Sequence, residues 1–422
     1  MSSIMTSRRA FLSGSLLFVG GMALAACGKD DAVKAGAKIT LEQWYHAYGE
    51  AGTQQAAIRY AKEYTKANPD VAIKVTWIAG DYSAKLHSTL LTPQAPDLFE
   101  IGDFQYIDVK NGLFAPLGDI VKGQENEYAK ASLDSATVDG KLYGLKMMDD
   151  AMVLYYRKSV LEKAGITPPQ TYAELAAAAK KLTTRAQKGL FIGSDGLGNA
   201  PYLMLWSNGA DLLDAEGKKV VFNSPEGIAA ISALKQLHDD KSLLQDFTTD
   251  WYDPGAFIQG ATAMQWCGLW AMPAIKKALG DDFGVVAWPK FGDAGKPVSR
   301  TGGWFAVAGA KGKHVEEAKK YIEWLWIKQE ELQKDWCVSY GFHIPARKSL
   351  TAKTTEFTSG PAKDAADILA NSGKVYPNLW NTAMDTLFAQ AVLKIAKSGG
   401  DAKALLDEAA TKCQAELDKQ LA

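Results

Sequence analysis

Chemistry in a 422-residue chain with five histidines, four cysteines and 48 carboxylates depends on how those residues are spaced. The histidines are His46, His87, His238, His314 and His343, and none forms the H-x-x-x-H or H-E-x-x-H spacing that puts two imidazoles on one metal. No G-x-S-x-G elbow, Walker loop or dinucleotide-binding glycine fingerprint occurs. Gly193-Ser194-Asp195-Gly196-Leu197-Gly198 is glycine-rich, but it lacks the lysine and spacing of a phosphate loop and reads as a turn. The carboxylates are numerous enough to contain a glycosidase pair. Without accompanying machinery, two carboxylates in a cleft read first as hydrogen-bond acceptors. Cys413 falls on an apolar helical stripe and reads as core. Whether Cys267 and Cys337 pair is not legible from spacing. The expectation is no catalytic residue, no metal and no cofactor.

Tryptophan is the unusual residue, with 12 copies unevenly placed. Trp206, Trp251, Trp266, Trp270, Trp304 and Trp380 lie in or beside turns containing glycine, asparagine or proline, whereas Trp324 and Trp326 sit within a helical pattern. Aromatic rings at loop ends suit sugars, whose axial C–H faces pack on the π surface while hydroxyls seek carboxylates and amides. Large aromatics also fill cores, so only the grouping at loops favours a ligand. The chain is 47% hydrophobic and 23% charged with a net charge of −1, a globular composition without the basic face that nucleic acid requires. Four cysteines are too few for a disulfide scaffold.

The first residues read as an address rather than as fold. Ser7-Arg8-Arg9-Ala10-Phe11-Leu12 precedes a glycine-diluted apolar run at 10–26, which ends Leu24-Ala25-Ala26-Cys27. A charged start, a short apolar middle and small residues before a cut describe an export signal. The run is shorter than the ~20 residues a spanning helix needs. The arginine pair resembles the twin-arginine export signal and Leu-Ala-Ala-Cys resembles a bacterial lipobox, which implies acyl chains on Cys27. Residues 1–26 are then the signal and 27–38 a tether. Losing Arg8 and Arg9 leaves a mature charge of −3.

From residue 39 the pattern alternates. A short apolar strand is followed at 54–67 by Ala57, Tyr60, Ala61 and Tyr64 on one helical face. Asn68-Pro69-Asp70 stops that helix, and 71–77 alternates as a strand. A helix near 82–91 and a strand at 97–101 complete a βαβ succession that predicts a mostly parallel sheet. Thr171 and Glu174 predict a capping box, and Ser224-Pro225 a capped helix start. Val315, Ala318, Ile322, Leu325 and Trp326 share a further helical face, and Leu406, Ala410, Cys413, Leu417 and Leu421 form a stripe near the end. Roughly 395 residues of alternating α/β pattern predict two lobes with a ligand cleft between them.

Several stretches then match one family. Asp139-Gly140-Lys141-Leu142-Tyr143-Gly144-Leu145, Leu154-Tyr155-Tyr156-Arg157-Lys158 and Ala164-Gly165-Ile166-Thr167-Pro168-Pro169 resemble extracellular solute-binding proteins of ABC sugar importers, in the maltose-binding-protein-like branch. Phe257 to Met264 with Gly268-Leu269-Trp270, Thr301-Gly302-Gly303-Trp304-Phe305, and Gly341-Phe342-His343-Ile344-Pro345-Ala346-Arg347 are similar in the same order. The resemblance implies an α/β, two-lobed, type II periplasmic-binding-protein-like fold, each lobe a mixed sheet flanked by helices. Residues 39–148 with 301–347 would form the N-terminal lobe, and 149–300 with 348–422 the C-terminal lobe. Hinge crossings would fall near 147–150, 298–301 and 345–350.

It further implies a lipid-anchored, monomeric receptor on the extracytoplasmic face, handing a carbohydrate to ABC permease subunits without catalysis. Position by position, Asp150, Asp103 and more weakly Glu50 match hydroxyl-accepting carboxylates. Trp270, Trp304 after Gly303, and Trp380 match stacking aromatics, and Trp206 with Asn208 matches a cleft-lining pair. Arg157 stands where relatives carry asparagine, outside the expected site. The residues also leave open an exported glycosidase or lyase, or the same fold holding glycerol-phosphate or a polyamine.

Overall fold

The computed structural model describes residues 36–422 apart from Gly49 and Asp293. The Arg8-Arg9 pair, the lipobox and Cys27 lie outside the described residues. Two main sheets organise the rest. The first orders Val71–Ile78, Ile39–His46, Leu98–Ile101, Phe305–Ala308 and Leu145–Lys146. Its first three strands are parallel and are joined by the helices Thr53–Ala67 and Tyr82–Leu90. The Phe305–Ala308 strand runs antiparallel to both neighbours. A parallel pairing needs a covering crossover connection. This strand instead arrives directly from the other sheet, so the mostly parallel expectation holds for three strands and fails for the late arrival.

The second sheet is built around one strand, Met148–Tyr156, buried along nearly its whole length. Thr262–Gly268, Gly284–Val286, Ser299–Gly302 and Ile344–Pro345 all pair with it antiparallel. Lys188–Phe191 and Gly373–Lys374 extend the sheet by parallel pairing beyond Thr262–Gly268 and Ser299–Gly302. A strand buried on both faces needs a continuous apolar run, and 151–155 supplies one: Ala151-Met152-Val153-Leu154-Tyr155. Alternate residues feed different cores. Met152 and Leu154 pack with the helical side that includes Thr382–Ser398 and Ala402–Leu421, whereas Ala151, Val153 and Tyr155 pack with Phe257, Phe283 and Phe357. The first sheet divides likewise, with Tyr45 on the Tyr60–Trp326–Trp336 side and Trp44 on the Phe99–Phe114–Phe305 side.

The sheets are joined by very short passages. Met147 alone separates Leu145–Lys146 from Met148–Tyr156, and Gly303 with Trp304 separates Ser299–Gly302 from Phe305–Ala308. The second passage therefore lies just beyond the 298–301 expected. Near 345–350, Arg347 still donates to the Ile327 carbonyl at 3.0 Å and Ser349 N–H to Glu127 at 3.2 Å. By Phe357 the chain has entered the second sheet's core.

Local signals behave as read. Ala57, Tyr60, Ala61 and Tyr64 are all buried, the Thr171–Glu174 capping box closes reciprocally, and Ser224 caps Pro225–Asp239. Leu421 departs from its stripe and is 44% exposed at the chain end. The Val315–Glu323 helix widens into a π turn at Trp324–Lys328. The wider turn turns three consecutive side chains, Leu325, Trp326 and Ile327, toward the core. Cys267, Cys337 and Cys413 are buried free thiols, the first two in different cores. Among the described residues no helix is long and apolar enough to cross a membrane.

Candidate functional site

Loops at the carboxyl ends of the parallel strands open toward the passages between sheets, the usual ligand position in such sheets. Two of them, after Ile39–His46 and after Leu98–Ile101, carry Glu50 and Asp103. Beneath them Glu100, 1% exposed, collects a polar cluster. Its Oε1 accepts the His46 backbone N–H at 2.7 Å and lies 2.5 Å from His46 Nδ1, while Oε2 accepts the Tyr48 hydroxyl at 2.6 Å. Tyr82 O–H closes the cluster on the Glu100 carbonyl at 2.7 Å. The His46 ring in turn stacks on Trp304 with centroids 4.1 Å apart, and Tyr82 meets the same indole edge-on at 5.9 Å. Trp304 is thus held from two sides and remains half-buried.

Gly303 sets this indole against the hinge. Its φ is +95°, and a Cβ there would stand 2.1 Å from the Met148 carbonyl oxygen, so only glycine fits the close approach. On the adjoining strand Asp150 is 2% exposed, its Oδ1 2.6 Å from Nδ1 of His343, which precedes Ile344–Pro345. Burial alone disfavours the His343 imidazolium, but the Asp150 charge and hydrogen bond, helped by Glu50 and Glu100, outweigh it and raise its pKa. Burial pushes the neighbouring Asp149 carboxyl up to about 6 against the opposing charge of Lys146. Burial likewise lowers the Lys146 ammonium, which donates to the Gly302 carbonyl at 2.9 Å. Glu50, half-buried beside this group, has its pKa raised by burial, with His343 opposing and Asp150 reinforcing.

The second sheet contributes a looser wall. Trp270 is half-buried in the turn after Thr262–Gly268; its indole N–H donates to the Tyr252 carbonyl at 2.9 Å and its ring meets Trp251 edge-on at 6.0 Å. Gly268 leaves room for this ring, since a Cβ would fall 2.0 Å from it in its present position. Further along, Arg300 reaches across to Asp103 Oδ2 at 2.9 Å and lies 4.6 Å over the Tyr376 ring. An ion pair between residues of the two sheets therefore spans the opening.

Asp150, Glu50, Gly303 and Trp304 are brought together at the hinge, and Trp270 stands on the other sheet. Trp206 and Trp380 depart from the expected role as open platforms. Each is 4% exposed, built into the helical core with its indole N–H on Asp211 or Asp385. Trp206 backs Tyr376 at 5.5 Å, so the ring nearer the opening is the tyrosine. Asn208 spends its amide on the Glu226 carbonyl at 2.8 Å, and Asp103 is engaged by Arg300 rather than free. Residues missed in the sequence are His46, Tyr48, Glu100, Arg300, His343 and Tyr376. His343 and Tyr376 lie in or beside stretches with a visible resemblance, but nothing local marks Glu100, a lone acid in an apolar strand. Among the described residues no group of three or more His, Cys, Asp or Glu could hold a metal. A separate pocket of about 490 Å³ includes Asp119 and Lys319 and shares no residue with this cleft.

Known proteins resemble this chain in sequence and in fold. Residues 59–366 match the model of the bacterial extracellular solute-binding proteins. The maltooligosaccharide ABC transporter solute-binding lipoprotein of Streptococcus pneumoniae is 26% identical, over 91% of this chain and 93% of its own length. The arabinooligosaccharide-binding protein of Bacillus subtilis is 24% identical over 68% of this chain and 69% of its own. An ABC transporter solute-binding protein of Thermotoga lettingae, solved with alpha-D-tagatose, superposes with a TM-score of 0.76 at 20% identity, covering 90% of this chain and 99% of that one. At that identity the superposition speaks for the fold alone.

Proposed function

The chain belongs to the bacterial extracellular solute-binding proteins, and from that premise we propose that it is the carbohydrate receptor of an ABC importer. The lobes are built on the two sheets and meet at Met147 and at Gly303-Trp304, and an oligosaccharide bound between them draws them closed for the membrane permease. The observation that carries this reading is the hinge itself. Short passages at Met147 and Gly303-Trp304 join two separately cored sheets, with Trp304 packed against the first core and Trp270 against the second. A ligand that touches both walls gains contacts only in the closed form, and that difference drives closure.

Glu50, Asp103, Asp150, Trp270, Gly303 and Trp304 contact or shape the site, while Trp206 and Trp380 lie behind it and Tyr376 carries Arg300 over its ring. Asn208 holds the turn behind it. The reading includes no catalysis: Asp150 is tied to His343 and Asp103 to Arg300, so neither is a free acid or base. Cys27 carries the lipid that keeps a monomeric protein on the outer face of the cell membrane after twin-arginine export, and Cys27→Ser should release it from membranes.

The test is a thermal-shift and tryptophan-fluorescence screen across mono- and oligosaccharides, with the sugar recovered afterwards. A ligand at 100 Kd should add ~2.7 kcal/mol of stability and be recovered intact. Turnover of the sugar would replace the receptor by an enzyme, and retention of the Cys27→Ser variant on membranes would remove the anchor.

A further inference from the structure

We propose that Arg300 reads an anionic group and that the saccharide taken by this cleft carries a uronate. The proposal rests on the carbohydrate-receptor reading above. Arg300 lies on Ser299–Gly302, beside the hinge, with its side chain 13% exposed. The guanidinium has three nitrogens and only one good acceptor. Nη2 donates to Asp103 Oδ2 at 2.9 Å, Nη1 faces the Met152 thioether at 3.6 Å, and Nε is buried without a partner. A carboxylate approaching side-on satisfies Nε and Nη2 together, the two-pronged arrangement that makes arginine selective for planar anions. Asp103 meets only one prong.

Three further observations place this unfilled acceptor position where a ligand arrives. Asp103 comes from the loop after Leu98–Ile101, on the opposite sheet, and is 47% exposed, so opening of the hinge withdraws it from the guanidinium. The Tyr376 ring lies under the charge, its centroid 4.6 Å from Cζ, and holds it when Asp103 leaves. Lys374 is in parallel register with Arg300; register partners share a face of the sheet, so a second cation stands on this wall, loosely countered by Asp211 at 3.6 Å. A neutral sugar leaves Nε empty and the Asp103 pair as it is. A uronate takes over the guanidinium and frees Asp103 to accept a hydroxyl.

Binding of trigalacturonate, trimannuronate and glucuronosyl-xylotriose should be measured by calorimetry beside maltotriose, mannotriose and xylotriose. At least one acidic member should bind about tenfold tighter than its neutral counterpart, with an affinity that falls as salt rises. Arg300→Gln should erase that gap, with an unchanged circular-dichroism spectrum and melting transition showing that the variant is folded. Asp103→Asn, which removes the competing carboxylate without touching Arg300, should widen it. Neutral saccharides binding as tightly as acidic ones, or Arg300→Gln weakening both classes equally, would overturn the uronate proposal and leave the receptor reading intact. If no saccharide of either class binds, both fall.

Discussion

The two walls of the cleft hold their tryptophans in different ways. On the first sheet, Trp304 stacks on His46, which is fixed by Glu100, which also holds Tyr48. That indole is the outermost member of a buried, hydrogen-bonded stack. On the second sheet, Trp270 hangs from one main-chain carbonyl and leans on Trp251 beside Tyr252, itself 56% exposed. One ring is positioned by the core, the other by a turn. A cleft that must open and close needs one rigid face as a reference and another that adapts, and a buried polar cluster is a strong way to build the rigid one because each member is expensive to leave unpaired.

The strongest challenge to that contrast is Glu100→Ala. It leaves the His46 backbone N–H, the His46 ring and the Tyr48 hydroxyl without their acceptor in a buried place, and should lower stability by about 3 kcal/mol or more. Urea unfolding measures it directly; a loss under about 1 kcal/mol would mean that the stack behind Trp304 is not what holds the wall. Next in size is a pair of truncations read by two instruments. Trp270→Ala should weaken saccharide binding by ~2 kcal/mol, about 30-fold, with little change in melting temperature. Trp304→Ala should lose binding and about 2 kcal/mol of stability as well. Equal stability losses in the two variants would erase the distinction between the walls.

The hinge between the walls adds a pH dependence whose sign follows from its charges. His343 faces Asp150, Glu50, Glu100 and Tyr48, and its pKa is raised in the folded protein. Protonated His343 therefore stabilises the fold fully below the unfolded value of ~6.5, and this contribution is lost as pH rises through the raised folded value. Asp149, pushed up to about 6 from an unfolded value of ~3.9, acts in the same direction but in a lower window, removing stability as pH climbs from about 4 to about 6. His343→Gln should flatten the upper fall and Asp149→Asn the lower, each seen in denaturation midpoints across pH. A profile that rises through both windows would contradict the assignment.

Much of the frame was legible because its signals are local. The capping box at Thr171 depends on residues three apart, and the Ala57–Tyr60–Ala61–Tyr64 face on one helical period. The fate of the tryptophans was not legible, because burial is decided by partners far along the chain. Trp206 and Trp380 sit beside turns just as Trp270 does, yet the helix Thr382–Ser398 covers Trp380 through Asp385 and Phe388, and Tyr202 and Tyr376 pack against Trp206. Arg300 was invisible for a related reason. Its meaning comes from Asp103 and Tyr376, 197 residues before it in the first case and across a sheet edge in the second. Helix periods and caps can be read within a dozen residues, whereas a site assembled between two sheets is a property of their passages.

The smallest predicted effect bears on how the adaptable wall is kept near the rigid one. Asn378, two residues beyond Tyr376, sends its amide to the Thr137 carbonyl at 3.1 Å and the Ser135 carbonyl at 3.4 Å, while its own carbonyl accepts the Tyr106 N–H at 2.9 Å. Ser135, Thr137 and Tyr106 flank the first sheet, so this one residue fastens the Tyr376 segment to the opposite side of the hinge. Asn378→Ala removes the two side-chain bonds and keeps the main-chain one, a loss of about 1 kcal/mol. If the bonds exist only in the closed form, that loss falls on the closing equilibrium. The radius of gyration of the free protein should then rise slightly, and saccharide affinity should drop by about fivefold with the melting temperature nearly unchanged. An unchanged affinity with a lowered melting temperature would instead place these bonds in both states, making them part of the rigid wall.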